Sequence, residues 1–313
     1  MPRTAYFWDA VSLQHDTGPH VECIARAEFL APENLRSLAA GMTELPVQRH
    51  EAVEWILQVH RPEYHEFVRE ACRAGRRLLD EGDTLVCPRS YDVAIAAVDA
   101  VLTAADAVME GDAGNAFCAV RPPGHHALTG RAMGFCIFAN VSILARYLQK
   151  QHGIGRIAIV DWDVHHGNGT QDMFYSDPSV LFISLHQFPL WPGTGRADET
   201  GEGAGKGFTL NVPVPPGTRE ADYLRQFESV VMPRVSEFRP EFVLISAGFD
   251  AHRDDPLGGL LLTEDGFAKM TRWLKGIAAD SCGGRMISCL EGGYNLPALQ
   301  RSVAAHVSAL MDG

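Results

Sequence analysis

The chain has 313 residues, which suits one large domain or two ordinary ones with a substantial core, and its 46% hydrophobic and 21% charged residues are typical of a globular protein. Its formal net charge of -12 argues against a sequence-independent grip on DNA or RNA, because such binding needs clustered lysine and arginine. No apolar run approaches the roughly 18 residues that a membrane span requires, so we expect no membrane partner.

Short apolar runs alternate with amphipathic stretches along the chain. In chain order they predict a helix over residues 90–110, a strand over 116–120, a helix over 141–152, strands over 157–160 and 180–184, a helix over 220–238, a strand over 242–246, a helix over 263–279 and a strand over 286–290. This alternation indicates an α/β fold in which a mostly parallel sheet carries helices on both faces. The Gly- and Pro-rich segment 189–216 lies between two strand-like runs, so it is predicted to be a long structured loop. We predict a single domain over residues 1–313.

The cysteines and the N-terminus bear on the compartment. Seven cysteines form no C-x-x-C pair and are odd in number, which favours reduced, buried thiols over a disulfide framework. The N-terminus has no basic start followed by an apolar segment, so no signal peptide is expected. Both features predict a cytoplasmic protein.

Each predicted strand is followed by polar, glycine-rich sequence. In chain order these loops begin RPPGHHA, DWDVHHGNG, HQFPLWPGTG, AGFDAHRDD and EGGYN. In open α/β sheets the ligand crevice lies at the carboxyl ends of the strands. One such loop is ordinarily a solvated turn, whereas five together predict a functional site at this edge of the sheet.

Asp163 and His165 form the first part of a candidate metal site. Residues two apart in an extended segment point the same way, so a carboxylate oxygen and an imidazole nitrogen can reach one point. An open catalytic zinc site usually has three protein ligands, and Asp250, also just past a buried strand, is the natural third. The competing candidates for the third position are His252, Asp254 and His186.

His125 and His126 follow Pro122, Pro123 and Gly124, residues that favour the irregular backbone that two adjacent side chains need to enter one crevice. A histidine near neutral pKa can accept a proton from water or give one to a leaving amine. Such imidazoles usually have a partner that fixes the tautomer, and Asp161 and Asn168 are the natural partners. The alternative is a pair of hydrogen-bonded structural histidines.

Three aromatic residues stand in glycine-flanked loops. Tyr294 follows Gly292 and Gly293, which let the backbone approach a ligand, and its phenol could donate to an oxyanion. Phe135 and Trp191 could form the walls of a narrow apolar slot. Isolated aromatics more often belong to the core, so these roles depend on the neighbouring loops.

These motifs together resemble the zinc-dependent histone deacetylases and the bacterial deacetylase-like amidohydrolases. The resemblance rests on RPPGHHA, MGFC, DWDVHHGNGTQ, WPGTG, SAGFDAHRDDPLGG and LEGGYN, which occur in family order over about residues 85–300. The RPPGHH, HHGNGTQ and LEGGYN forms are similar to the class II branch. The resemblance implies an arginase-like, three-layer α/β fold.

The resemblance also implies roles for individual residues. Zn²⁺, with Fe²⁺ as the alternative, would be bound by Asp163, His165 and Asp250. His125 and His126 would be the tandem catalytic histidines, supported by Asp161 and Asn168, and Tyr294 would polarise the carbonyl. The residues that would contact substrate are Gly134 (through its carbonyl), Phe135, Trp191, Leu257 and Gly293. Structural K⁺ would be held at Asp161, Asp163, His165, Ser184 and Leu185, with a second site near Phe174, Asp177 and Val180.

The sequence departs from the family pattern at several positions. Trp191 stands where phenylalanine is usual and should reshape the mouth of the slot, and Val21 replaces the proline of a common His-Pro-Glu motif. Asn168 stands where class I enzymes have aspartate, so His125, beside Asp161, should be more basic than His126. His166 receives no catalytic role and is expected to be structural. The rim residue that faces the substrate amide is not singled out; the candidates are Arg89, Ser90 and Asp92.

The predicted activity is hydrolysis of the N-acyl amide of an acetyl-lysine-like side chain. An acetylpolyamine amidohydrolase is the nearest alternative, but an apolar Leu257 provides no anchor for a second ammonium, and the N-terminal loop is short. An arginase-type ureohydrolase would need two metals. A catalytically silent acyl-lysine-binding or metal-binding module would not need both histidines and Tyr294. The expected partner is therefore an acetylated lysine-like or polyamine substrate.

Overall fold

A computed structural model describes residues 3–312. Within these residues eight strands form one sheet in the order β2-β1-β3-β8-β7-β4-β5-β6, and every neighbouring pair is parallel. The strands are β1 Thr4–Phe7, β2 Thr43–Glu44, β3 Asn115–Cys118, β4 Ile157–Asp161, β5 Val180–Gln187, β6 Thr209–Val214, β7 Phe242–Ala247 and β8 Met286–Leu290. The prediction of an α/β fold with a mostly parallel sheet is confirmed.

Eleven α-helices cover both faces of the sheet in the described part of the chain. They are α1 Ile24–Phe29, α2 Pro32–Leu35, α3 Ala52–Ile56, α4 Pro62–Arg73, α5 Ser90–Met109, α6 Asn140–His152, α7 Asn168–Phe174, α8 Glu220–Gln226, α9 Met232–Phe238, α10 Glu264–Cys282 and α11 Leu296–Met311. One hydrophobic core lies between the sheet and the α3–α6 side, and the other lies between the sheet and the α8–α11 side. No helix among residues 3–312 is long and apolar enough to cross a membrane.

The predicted elements agree with the structure to within a few residues. The helix predicted over 220–238 consists of α8, a π-helical turn at Phe227–Val231 and α9. The strands β1 and β2 were not predicted, and β2, with two residues, is too short to show a period. All seven cysteine thiols are free, and six of them are buried.

The parallel sheet brings the polar loops to one edge. Because all eight strands run in the same direction, the loops that follow β3, β4, β5, β7 and β8 leave from their carboxyl ends side by side. The last of these loops leads directly into α11, whose first turn is capped by the Asn295 side chain accepting from the Ala298 N–H at 3.1 Å. This cap fixes the chain immediately after Tyr294.

Candidate functional site

Asp163, His165 and Asp250 converge at this edge of the sheet. Each offers one ligand atom, these atoms lie within 4.8 Å of one another, and all three residues are buried. The His165 Nδ1 atom lies 3.1 Å from Asp163 Oδ1 and 3.2 Å from Asp250 Oδ2. None of the three competing residues joins this group among residues 3–312; His186, for example, is bonded through Nε2 to the Gly195 carbonyl at 2.9 Å.

Main-chain amides hold both carboxylates in place. The Gly292 N–H donates to Asp163 Oδ2 at 2.8 Å, and the Val164 N–H donates to Asp250 Oδ1 at 2.8 Å. A Cβ atom at Gly292 would lie 2.1 Å from Asp250 Oδ2 and 2.6 Å from Asp163 Oδ2, so only glycine fits between the two carboxylates. The chain after β8 therefore supports ligands that come from the loops after β4 and β7.

The charges of this trio fit a divalent cation. Within the described residues the ion-pair partners of Asp163 and Asp250 are histidines, with no lysine or arginine. Burial and the neighbouring Asp163 charge raise the pKa of Asp250 to about 7. Burial alone would lower the pKa of His165, but hydrogen bonds to the two carboxylates raise it to about 10. A site that stabilises a proton so strongly would also stabilise a cation in its place, and one nitrogen with two oxygen donors suits Zn²⁺ or Fe²⁺.

His125 and His126 lie beside the trio with their ring centroids 3.9 Å apart. His125 Nδ1 donates to Asp161 Oδ2 at 2.9 Å, and His126 Nδ1 donates to the Asn168 amide oxygen at 2.7 Å. With its Nδ1 proton engaged by Asn168, His126 carries its lone pair on Nε2. Asp161 is thus the hydrogen-bond partner of His125, and Asn168 is that of His126.

The two histidines have opposite electrostatic environments. Burial opposes protonation of both, but the negative charges of Asp163, Asp161 and Glu291 outweigh it at His125 and raise its pKa well above the ordinary value. At His126, burial and the neighbouring charge of His125 lower the pKa well below that value. His125 is therefore suited to hold a proton, and neutral His126 is suited to accept one.

Glu291 supports the loop that carries the tandem histidines. Its buried Oε2 atom accepts the N–H groups of Gly124 at 2.7 Å and His125 at 3.1 Å. Burial, the largest influence, raises the pKa of this carboxyl to about 7. Its position in LEGGYN, next to the tyrosine loop, gave no sign of the contact, because the two segments are 167 residues apart in sequence.

A cavity of about 450 Å³ opens above the trio. Its lining consists of Pro19, His20, Val21, Asp83, His126, Gly134, Phe135, His165, Leu190, Trp191, Leu257 and Tyr294. The Trp191 and His126 rings meet edge-on with their centroids 4.7 Å apart, and the Phe135 and Tyr294 rings do so with their centroids 5.8 Å apart. Gly293 does not line the cavity.

The rim differs from the sequence-based candidates. Arg89 is bonded to Asp92 at 2.6 Å, and Ser90 is buried against His15 Nδ1 at 2.6 Å, so none of these three candidates lines the cavity. The acidic residue in the cavity lining is Asp83, which is exposed in the turn EGDT. This turn follows no predicted strand, and so the pattern that identified the other loops gave no signal for it.

Tyr294 projects into the cavity from a segment that is held on two sides. Its main-chain N–H donates to Asp255 Oδ2 at 2.7 Å, and Arg26 donates to the preceding Gly293 carbonyl at 2.8 Å. The Arg26 guanidinium also lies over the tyrosine ring, 5.0 Å from its centroid. Burial raises the pKa of the Tyr294 phenol well above the ordinary value, so the hydroxyl keeps its proton and can donate it in a hydrogen bond.

Arg26 belongs to a buried charge network that sequence reasoning missed. The Glu22 carboxylate accepts Arg121 Nε at 2.6 Å and Nη2 at 2.9 Å, and Arg26 Nη1 at 3.1 Å. Burial alone would raise the pKa of Glu22, but the nearby Arg121, His15 and Arg26 hold it at about 2. In sequence these residues look like ordinary surface charges. In the fold they tie the N-terminal segment to the Tyr294 loop.

The remaining predicted positions lie away from the cavity. His166 is buried and bonded to Thr194 at 2.8 Å and to Gln171 at 3.0 Å, as expected of a structural residue. At the first proposed potassium position, Ser184 pairs with Asp161 across β4 and β5, and the Leu185 carbonyl accepts the Tyr223 hydroxyl at 2.9 Å.

The second potassium position already contains a cationic side chain. Arg146 pairs with Asp177 at 2.7 Å and lies 4.7 Å from the centre of the Phe174 ring, just before β5 begins at Val180. Potassium at either position stays a prediction.

Comparison with known proteins gives matches over nearly the whole chain. Residues 20–310 match the family model described as the histone deacetylase domain. The chain is 38% identical to the histone deacetylase-like amidohydrolase of Pseudomonas aeruginosa, over 94% of this chain and 82% of that protein. It is 44% identical to a probable deacetylase of Archaeoglobus fulgidus, over 78% of this chain and 67% of that protein. The crystal structure of the HDA15 HD domain superposes with a TM-score of 0.92 at 38% identity, covering 99% of this chain and 90% of that one.

Proposed function

This chain belongs to the histone deacetylase family, and on that basis we propose that it is a zinc-dependent deacylase acting on the N-acetyl, or other N-acyl, amides of lysine-like side chains. The observation that carries the proposal is the buried Asp163–His165–Asp250 trio at the base of a cavity whose lining also contains His126 and Tyr294. These groups supply a cation site, a proton acceptor and a hydrogen-bond donor around one point, which is what amide hydrolysis requires.

Substrate positioning comes from the cavity walls. Phe135 and Trp191 offer apolar faces to the aliphatic stem of the side chain, and the Gly134 carbonyl would accept the N–H of the scissile amide. The narrow slot would hold the amide carbonyl near Tyr294 and the trio. Such positioning lowers the entropic part of the activation barrier, because the reacting groups are already held together before the reaction begins.

Besides the metal ligands, three side chains take part in the chemical step: His126, Tyr294 and His125. Zn²⁺ bound to Asp163, His165 and Asp250, with Fe²⁺ as the alternative, would polarise the carbonyl and lower the pKa of water. His126 accepts the proton of the attacking water at Nε2. The Tyr294 hydroxyl donates to the carbonyl oxygen as it gains negative charge. The departing amine takes a proton from His126 or from His125, whose pKa the charges of Asp163, Asp161 and Glu291 raise well above the ordinary value.

The acetylpolyamine alternative has one observation in its favour. The Asp83 carboxylate stands at the mouth of the cavity, where it could pair with a second ammonium group. Leu257 in the same lining provides an apolar surface instead, and we therefore favour acyl-lysine. A ureohydrolase would need a second metal. Among residues 3–312 the second group of ligating side chains, His125, Cys136 and Glu291, already uses its carboxylate to bind main-chain amides.

A turnover panel with metal analysis tests the proposal. Purified protein reconstituted with Zn²⁺ would be given acetyl-lysine peptides, longer acyl-lysines, acetylputrescine and arginine, and metal content would be measured on the same sample. We expect turnover of acyl-lysine with about one catalytic metal per chain. Turnover of acetylputrescine faster than that of acetyl-lysine peptides would favour an acetylpolyamine amidohydrolase. Absence of turnover on every acyl amide would refute the assignment as an enzyme.

A further inference from the structure

A groove next to the cavity mouth has no role in the chemistry described above. We propose that it binds the polypeptide segment flanking the acylated lysine, with an apolar or aromatic side chain of that segment seated in the groove. The inference rests on the proposed deacylase function and narrows its substrate to acylated polypeptides.

The groove is continuous with the substrate cavity. It encloses about 680 Å³ and shares Asp83 and Trp191 with the cavity lining. Its other lining residues are Phe67, Arg76, Leu78, Leu79, Asp80, Glu81, Gly82, Arg131, Ala132 and Met133. Asp83 and Trp191 separate the two, so a chain whose acyl-lysine side chain enters the cavity can place its neighbouring residues in the groove.

Exposed apolar side chains are concentrated here. Phe67, Leu78 and Trp191 are 38%, 42% and 46% exposed and line the groove, while Val21, 37% exposed, lines the cavity mouth. These four make up half of the eight large hydrophobic residues that are exposed in the described part of the chain. Scattered exposed apolar residues need no explanation, but a cluster beside a ligand cavity indicates an interaction surface.

The groove wall is a hairpin tied to the cavity wall. Residues 77–86 form this hairpin, in which Leu78 and Leu85 make an antiparallel bridge. The Thr84 hydroxyl accepts the Phe135 N–H at 3.3 Å and so connects the hairpin to the aromatic wall of the slot. A surface ordered in this way before binding loses little entropy when a peptide docks.

The charges in the groove do not decide between a polypeptide and a polyamine. Neither Arg76 nor Arg131 forms an ion pair with a carboxylate among residues 3–312, so both guanidinium groups can bind peptide carbonyls or an acidic side chain. Asp80, Glu81 and Asp83 line the same groove, so three carboxylates stand beside two guanidinium groups, and this small negative balance excludes neither ligand. We infer that selection comes from the apolar surface, which a polyamine has no side chain to fill.

Peptides with one variable position test the groove. Acetyl-lysine would be flanked by glycines, and a single phenylalanine would be placed at the -2, -1, +1 or +2 position. In the wild-type protein we expect kcat/KM to rise about tenfold for at least one position, since burial of one apolar side chain contributes that much or more. The rise should fall below about threefold in Leu78→Ser and Phe67→Ser, with turnover of acetyl-lysine amide unchanged. Leu57→Ser is the control, because Leu57 is 38% exposed at the end of α3 and outside the groove.

Binding separates this inference from the proposed activity. Fluorescence anisotropy with the same labelled peptides should show the phenylalanine preference in the wild type and its loss in Leu78→Ser, whatever the turnover. Equal affinity and kcat/KM for all peptides in the wild type would overturn the inference while leaving the deacylase assignment intact. A second result would also overturn the inference. If the groove variants changed the oligomeric mass measured by sedimentation but not the peptide preference, the groove would be a contact between two copies of the chain.

Discussion

Gly134 offers a direct test of the cavity geometry. Its φ is +56°, a backbone conformation that costs an L-residue about 1–2 kcal/mol. A Cβ atom there would lie 2.5 Å from Trp191 Cη2 and 2.6 Å from His126 Cδ2. Gly134→Ala therefore presses on the cavity wall and on the proposed proton acceptor at once.

The two neighbours differ in their freedom to yield. Trp191 is 46% exposed and can turn outward, whereas His126 is buried and bonded to Asn168 at 2.7 Å. Restoring an ordinary contact of 3.4 Å at His126 requires a shift of about 0.8 Å, which strains that hydrogen bond. Misplacement of a catalytic group by about 1 Å can cost on the order of 10²-fold in rate. We expect kcat for acetyl-lysine peptides to fall by about that factor.

Gly153→Ala is the matched control. Gly153 ends α6 with a φ of +70°, and a Cβ atom there would meet nothing within 4 Å. Backbone strain should cost both variants about 1–2 kcal/mol of unfolding free energy in urea, and Gly134→Ala should lose more because its Cβ also contacts Trp191 and His126. Only Gly134→Ala should lose turnover. A wild-type kcat in a folded Gly134→Ala protein would show that Trp191 alone moves and would refute the predicted displacement of His126.

Three further predictions concern the charge network, the phenol and the metal. Glu22→Gln should lower the unfolding free energy by about 3–5 kcal/mol at pH 7, because it leaves two buried guanidinium groups unpaired. The pKa of Glu22 is held at about 2 against an ordinary 4.5, so its contribution is complete above pH 4.5 and is lost as pH falls towards 2. The difference between wild type and variant in urea unfolding should shrink over that range, and a constant difference would contradict the assignment. Tyr294→Phe should reduce kcat on the order of 10²–10³-fold with an unchanged unfolding temperature, and a smaller loss would remove Tyr294 from the oxyanion role. Removal of the metal with a chelator should abolish turnover and lower the unfolding free energy by about 3–4 kcal/mol relative to protein with metal at 100–1,000 times its Kd, both restored by Zn²⁺. Restoration in Asp250→Asn equal to that of the wild type would exclude Asp250 as a ligand.

The sequence predicts the fold and most of the cavity because their signals are local. Apolar runs identify the central strands, and the polar residues after each run lie at the carboxyl ends that the parallel sheet brings together. Asp163 and His165 are two residues apart, so their convergence follows from one extended segment. Asp250 follows from the position of its loop after β7.

The missed residues depend on contacts between distant segments. Glu291 binds the His125 loop across 166 residues, and Arg26 reaches the Gly293 carbonyl across 267. A charged side chain in sequence is usually exposed, so no local pattern distinguishes Glu22 from a surface residue. Asp83 is exposed and belongs to a hairpin wall, and its role at the rim appears only when the hairpin is placed beside Phe135.

The strand order has a consequence for synthesis of the protein. β8 lies between β3 and β7, and it joins the β2-β1-β3 half of the sheet to the β7-β4-β5-β6 half, although it is synthesised after the other seven strands of this sheet. His125 and His126 follow β3 in the first half, the trio follows β4 and β7 in the second, and Tyr294 follows β8 itself. A nascent chain that lacks residues 286–294 would therefore hold the parts of the site in two unjoined halves. Hydrolysis would begin only when translation of this last strand and its loop is complete.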